Sequence, residues 1–348
     1  MQKRFSLPRL PASAALLALV AAAFSLAPAL RAQSVLYITQ TSGAGTLAAY
    51  NLSNAQPYAA GSALTTTTFG SPFFQAVATD AAGNVYVAYP AGSVDVLRKY
   101  DNTGALLTPF GTNTYYPSNS IVRTATVNSA GTQLILPINA ATNQVLSFST
   151  VDGSLVSGFT AINLNNPTAV AFNSSGTFLY ATMPSGALQG STITQYSING
   201  GSGTNLTFTG GGYGNNGFDN AQGLLFQSDT SMIVVSTSLG AVERYTLSGT
   251  VATLDTTFGV NGVVTLPSLS GGIAADGSTG NLYVVTGSNI AQLSANGTIL
   301  NSAYLSGLTD PHSQLAIGLA AVPEPDTAVL LALGLTGMGA RRWRRKNG

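Results

Sequence analysis

The chain is 348 residues long, enough for two average domains or one large all-β domain, and only 7% of it is charged, against the roughly 25% usual for soluble domains. Hydrophobic content of 45% excludes wholesale disorder, the absence of cysteine excludes disulfides, thiolate metal sites and a cysteine nucleophile, and a single histidine excludes a histidine-cluster metal site. Between Gln33 and Ala321, four basic residues (Arg98, Lys99, Arg123, Arg244) stand against nine Asp and one Glu, an anionic body from which no nucleic-acid binding is expected.

The N-terminus reads as a secretory signal over residues 1–32. Lys3, Arg4 and Arg9 form a positive start, Ala12 to Leu26 is an uncharged apolar helix, and Ala27-Pro28-Ala29 and Ala32 are small residues suited to cleavage. Export through the general secretion machinery and cleavage by signal peptidase near Ala32 would leave Gln33 first. An uncleaved anchor is the alternative, but the apolar run is shorter than the roughly 20 residues of a stable span.

Residues 33–321 are a repeat. The clearest copy is Ala76-Val77-Ala78-Thr79-Asp80 followed by Gly83-Asn84-Val85-Tyr86-Val87, and a second is Ala169-Val170-Ala171-Phe172-Asn173 followed by Gly176-Thr177-Phe178-Leu179-Tyr180. Aligned on the first turn residue (Asp80, Asn128, Asn173, Gln227, Asp276), five copies are spaced by 48, 45, 54 and 49 residues. A third strand follows each pair, at 95–100, 144–149, 193–197, 241–247 and 290–294. Several copies add a tight turn and a fourth segment, as at Asp101 to Gly104 and Ala295-Asn296-Gly297. Units of three to four antiparallel strands at this period are propeller blades. Val35–Gln40 and Thr46–Leu52 resemble second and third strands, with Tyr37 in the place of Tyr86, and 315–322 resembles a first strand. The two ends together predict a sixth blade closed by both termini, which removes an exposed sheet edge. The predicted fold is an all-β, six-bladed β-propeller, with seven blades as the alternative and helix confined to the two ends. The turns at Phe69-Gly70, Phe110-Gly111 and Phe258-Gly259 resemble those of NHL-type bacterial propellers.

Chemistry-bearing residues in the body are sparse. Some six-bladed relatives are lactonase-type enzymes that hold a divalent cation with channel carboxylates and asparagines, and others are lyases that use histidine. Here the one body glutamate, Glu243, reads as a solvated strand residue, with Arg244 on the opposite face. Asp80, Asp101, Asp152 and Asp276 read as turn residues bonded to their own backbone. Asp219-Asn220, beside a Gly-rich loop, leaves a loop-held Ca²⁺ open. In Asp310-Pro311-His312-Ser313 the three triad-type residues are neighbours in a loop, and neighbours in sequence need not converge in space. The runs at Asn199 to Gly203 and Gly210 to Gly214 read as flexible connections, because neither joins a strand to a helix with a following lysine. No catalytic residue, metal site or cofactor is assigned.

The tail, residues 322–348, carries the most specific signal. Val322-Pro323-Glu324-Pro325 is followed by an apolar run, Ala328 to Ala340, and then by Arg341, Arg342, Arg344, Arg345 and Lys346 around Trp343. Two prolines hold the tetrapeptide extended, where an enzyme can grip it. The apolar run would enter a bilayer as a short helix, with the basic cluster stopped at the cytoplasmic face. From Thr327 to Ala340 a helix reaches only about 21 Å, short for a permanent span. This order of motif, helix and basic cluster closely resembles the PEP-CTERM sorting signal of Gram-negative bacteria, a tail also described as an ice-binding-protein C-terminal domain. The resemblance implies recognition of Pro323, Glu324 and Pro325 by an exosortase, a membrane-embedded cysteine protease, after transient membrane insertion. It also implies association with envelope or extracellular polysaccharide. No Thr-x-Thr ladder supports ice binding by the body.

The expected protein is therefore exported, with a non-catalytic glycan- or protein-binding or structural role at the cell surface or in the matrix. Its abundant Tyr and Phe on a Ser/Thr/Asn surface suit stacking against neutral glycans. The alternative is a secreted propeller hydrolase or lyase of the lactonase type, acting on a sugar-derived substrate.

Overall fold

The recurring Asx residues close the hairpins that define the repeat. Asp80 Oδ1 accepts the N–H groups of Ala82 and Asn84 at 3.0 and 2.9 Å, and Asn128 Oδ1 accepts those of Thr132 and Gln133 at 2.8 and 3.0 Å. Asn173 Oδ1 takes the Phe178 N–H at 2.9 Å, and Asp276 Oδ1 takes the Ser278 N–H at 3.0 Å. A short polar side chain that substitutes for a backbone acceptor is what this turn needs, which explains why Asp or Asn returns in each of these copies. Gln227 is the exception. There the strand register slips between Phe226 and Ser228, and the Ser228 hydroxyl accepts the Thr230 N–H at 3.4 Å instead.

The computed structural model describes residues 33–40, 46–56, 67–68, 76–91, 94–102, 104–110, 121–122, 124–139, 143–183, 192–211, 220–308 and 314–320. Among them are six sheets, largely antiparallel, with a parallel pairing of Thr207–Thr209 to Val251–Leu254 at the outer edge of blade 5, and no helix. Blade 2 is Ala76–Thr79, Val85–Ala91 and Val94–Tyr100; blade 3 runs from Ile121–Val122 through Thr126–Val127, Gln133–Asn139 and Gln144–Ser149 to Ile162–Asn163. Blade 4 is Ala169–Phe172, Phe178–Met183, Thr192–Ser197 and Gly200–Asn205. Blade 5 is Ala221–Ser228, Ser231–Ser236, Ala241–Ser248 and Val251–Leu254, and blade 6 is Leu269–Ala275, Leu282–Thr286, Asn289–Leu293 and Ile299–Ser306. Blade 1 takes its inner strand, Gln314–Ala320, from the far end of the body and pairs it with Gln33–Gln40, then Thr46–Asn51 and Thr67–Thr68. The ring closes with both ends of the body, as the repeat count predicts, and the number of blades is six.

Every blade is covered on both faces by its neighbours, so its strands read as near-continuous apolar runs rather than alternating ones. The core falls into six clusters, each shared by adjacent blades. Aromatic side chains from the linker after an outer strand wedge these junctions: Phe110 packs 5.7 Å from the Tyr86 ring between blades 2 and 3, and Phe208 packs edge-on to Tyr245 at 5.0 Å between blades 4 and 5. Phe258 is fully buried between blades 5 and 6.

Two of the body's four cations serve as bolts at equivalent positions. Lys99 Nζ donates to the Thr150 carbonyl of blade 3 at 2.9 Å, and Arg244 donates to the Ala295 carbonyl of blade 6 at 2.9 Å. Each cation also lies over aromatic rings, Lys99 over Tyr86 at 5.3 Å and Arg244 over Phe258 at 5.0 Å. Arg244 Nε makes the ion pair to Asp255 at 2.8 Å.

Candidate functional site

The inner strands set the chemistry of the central channel, because six of them present equivalent residues to one axis. Val77, Ala125, Val170, Leu224, Ile273 and Leu315 form an apolar girdle shared by two cavities. The wider cavity, about 220 Å³, extends from the girdle past Thr79, Val127, Phe172, Phe226, Ala275 and Ile317. The narrower one, about 40 Å³, adds Thr124, Gly223, Gly271 and Gln314. The polar side chains in these linings are the threonines at 79, 124 and 126 and the amide of Gln314. Gly223 and Gly271 have a structural reason: a Cβ on Gly223 would run into the Gly271 carbonyl, so the inner strands of blades 5 and 6 approach backbone to backbone.

A second hollow, about 600 Å³, lies at the seam of blade 1, where the first-to-second-strand turn of the other blades is replaced by the two ends of the body. Asp80 and Asp276 flank it, with Ser34, Ser278 and Gly318 between them. Both carboxylates are engaged in holding turns. Asp80 Oδ2 accepts from Asn84 Nδ2 and the Tyr86 hydroxyl at 2.7 and 2.9 Å. Asp276 accepts from the hydroxyls of Ser34, Ser278 and Thr279 at 2.7 to 3.2 Å. Burial alone would raise the Asp276 pKa, but these bonds and the Ser278 N–H overcome it and hold the carboxyl below its ordinary range. Among the described residues, no three of His, Cys, Asp and Glu gather at metal-ligand spacing.

Glu243 departs from its expected place. It is 0% exposed, with the Tyr245 hydroxyl donating to Oε2 at 2.7 Å. The reason is that a third strand here is not an outer one: Ser231–Ser236 pairs on one side and Val263–Thr265, from the following linker, pairs on the other. Arg244 does occupy the opposite face. The glycine run at 199–203 is also corrected, since Gly200–Asn205 is the outer strand of blade 4 rather than a free connection. Gly210 and Gly211 take left-handed φ of 84° and 96°.

The aromatic side chains are differently placed too. Of the described tyrosines all but Tyr50 and Tyr304 are buried, and Phe178, at 42%, is the exposed phenylalanine among the described residues. The rings wedge blades together instead of coating the surface. Asn220 is described, at φ 58°, while Asp219 and the Asp310 to Ser313 loop with His312 lie outside the described residues. So do the 1–32 signal, Val322 to Pro325, the apolar run and the basic cluster at 341–346. No helix among the described residues is long and apolar enough to cross a membrane.

Comparison with known proteins bears on the fold and on the tail. The body is similar to a chain of a nidogen/laminin complex at 13% identity, with a TM-score of 0.55 over 82% of this chain and 99% of that one. It is also similar to a putative 6-phosphogluconolactonase from Bacteroides fragilis at 12% identity, with a TM-score of 0.51 over 84% and 99% of the two chains. At such identities the likeness is one of fold. No curated protein matches the chain in sequence. Residues 321–346 match the model of the PEP-CTERM protein-sorting motif, a stretch that includes Val322 to Pro325 and the basic cluster. It begins at the residue after the strand that closes the ring. The chain is thus a six-bladed β-propeller carrying a PEP-CTERM sorting motif, which implies an exported, cell-surface-directed protein processed by an exosortase.

Proposed function

We propose that this protein is a passive component of the outer cell surface or extracellular matrix, delivered there by exosortase processing and contributing a rigid propeller that binds glycan or protein without chemistry. The observation that carries the reading is the sorting motif joined directly to the ring-closing strand. The channel supports the non-catalytic part: its girdle is six apolar side chains, where a lactonase-type hydrolase would aim carboxylates and amides.

Gln314 donates its backbone N–H to Thr39 Oγ1 at 3.2 Å, tying the ring-closing strand to the first strand of the body.

The test is intact mass and C-terminal peptide mapping of the protein recovered from its own host. Loss of the residues beyond about Pro325 is the expected result. A C-terminus still at Gly348 in surface material refutes delivery by a sorting protease.

A further inference from the structure

We infer that the outer end of blade 6 holds a binding pocket for a neutral carbohydrate. It opens beside the second-to-third-strand turn of blade 6, and the inference rests on the proposed function only in naming the ligand class of a glycan-binding propeller, not for the pocket's chemistry. A hollow of about 410 Å³ opens between linker residues 266–268, the turn at 286–289 and outer-strand residues Ser302 and Ala303. That is near the small end of the roughly 300–1,000 Å³ range of ligand pockets, the size of one or two sugar rings.

The lining has the chemistry of a sugar site. The hydroxyls of Ser268, Ser288 and Ser302 and the amide of Asn289 face the hollow's surroundings without a side-chain hydrogen bond to any other described residue. Pro267 is exposed beside them and offers an apolar wall for a ring face. No ionisable group lines the pocket, which disfavours phosphates, uronic acids and free cations and leaves neutral hydroxyl-bearing ligands as the match.

The backbone that carries these groups is held in place. The Gly287 N–H donates to the Ser268 carbonyl at 2.6 Å, and the Leu308 N–H donates to the Ser288 carbonyl at 2.9 Å. On the third side, the Ala303 N–H donates to Asn301 Oδ1 at 2.9 Å. A fixed backbone lowers the ordering cost of binding. Ser268 adds an independent signal. Its φ is 53°, in the left-handed region that favours glycine, yet the position carries a hydroxyl at the pocket rim.

The experiment is saturation-transfer NMR on the purified full chain with glucose, galactose, mannose, N-acetylglucosamine, cellobiose, maltose and lactose, and with glucuronic acid as the charged control. At least one neutral sugar should show transfer, with its Kd raised fivefold or more by Asn289→Ala. Ser302→Trp, which fills the hollow from an exposed strand, should abolish transfer, with circular dichroism confirming that both variants are folded. Ser288→Ala, at an exposed turn, serves as the replacement if either variant misfolds. Absence of transfer from every neutral sugar overturns the inference, and so does transfer that survives the folded variants unchanged or is equalled by glucuronic acid. Because the titration uses purified protein, its failure leaves the peptide-mapping result intact, and a tail found unprocessed leaves the titration intact.

Discussion

Asp276 is 5% exposed and still holds its proton below the ordinary carboxylate range, since the bonds from Ser278, Thr279 and Ser34 outweigh the penalty of burial. Asp255 behaves alike: burial pushes it up, and Thr257 and Arg244 bring it lower on balance. On acidification such groups are protonated in the unfolded chain first. The stability they contribute is complete above the ordinary value of 3.8 and is lost as pH falls through their lower folded values. At the alkaline end the sign reverses. Burial pushes Tyr89 and Tyr283 up to about 12 from 10.0, so the stability tied to their neutral form is complete below pH 10 and declines towards pH 12. Urea midpoints measured from pH 2 to 12 should be flat through the middle and fall at both ends, and Asp276→Asn should reduce the acid slope. The Asx turns behind this behaviour were legible in the sequence, because Asp80, Asn128, Asn173 and Asp276 repeat at blade spacing. Glu243 was not. Alternation along a strand implies a solvated face only when one face is free, and a blade between two blades has none.

At the scale of the element, the junction wedges matter most. Replacing Phe258 with Ala removes a fully buried ring between blades 5 and 6 and should cost about 3–5 kcal/mol in urea unfolding, whereas Phe178→Ala, at a partly exposed ring, should cost far less. Phe110 and Phe258 were visible through the glycine that follows each. The same role at Phe159 and Phe208 was hidden because glycine precedes the first and follows the second after a gap. Gly200–Asn205 was unreadable as a strand for a related reason. Three of its six residues are glycine, and its pairing with Thr192–Ser197 is imposed by the neighbouring strand, not by its own propensity. Gly203 fits because a Cβ there would strike the Tyr196 ring.

For the whole molecule, closure by both ends is the decisive feature, and counting the leftover segments as one blade was enough to read it. The positions of the aromatic rings were beyond the sequence, since composition counts rings without saying which side of a blade they take. Deleting residues 314–348 removes the inner strand of blade 1 and should abolish the single cooperative urea transition. Deleting 322–348 leaves every described strand in place and should not move the midpoint. Circular dichroism of the two truncations checks both outcomes. The ring's last strand and the delivery address are also consecutive along the chain. A ribosome that stops before residue 314 releases a polypeptide with an open ring and no address. Delivery through this tail is therefore restricted to chains that already carry the ring-closing strand, and products truncated before it are left behind without any separate inspection step.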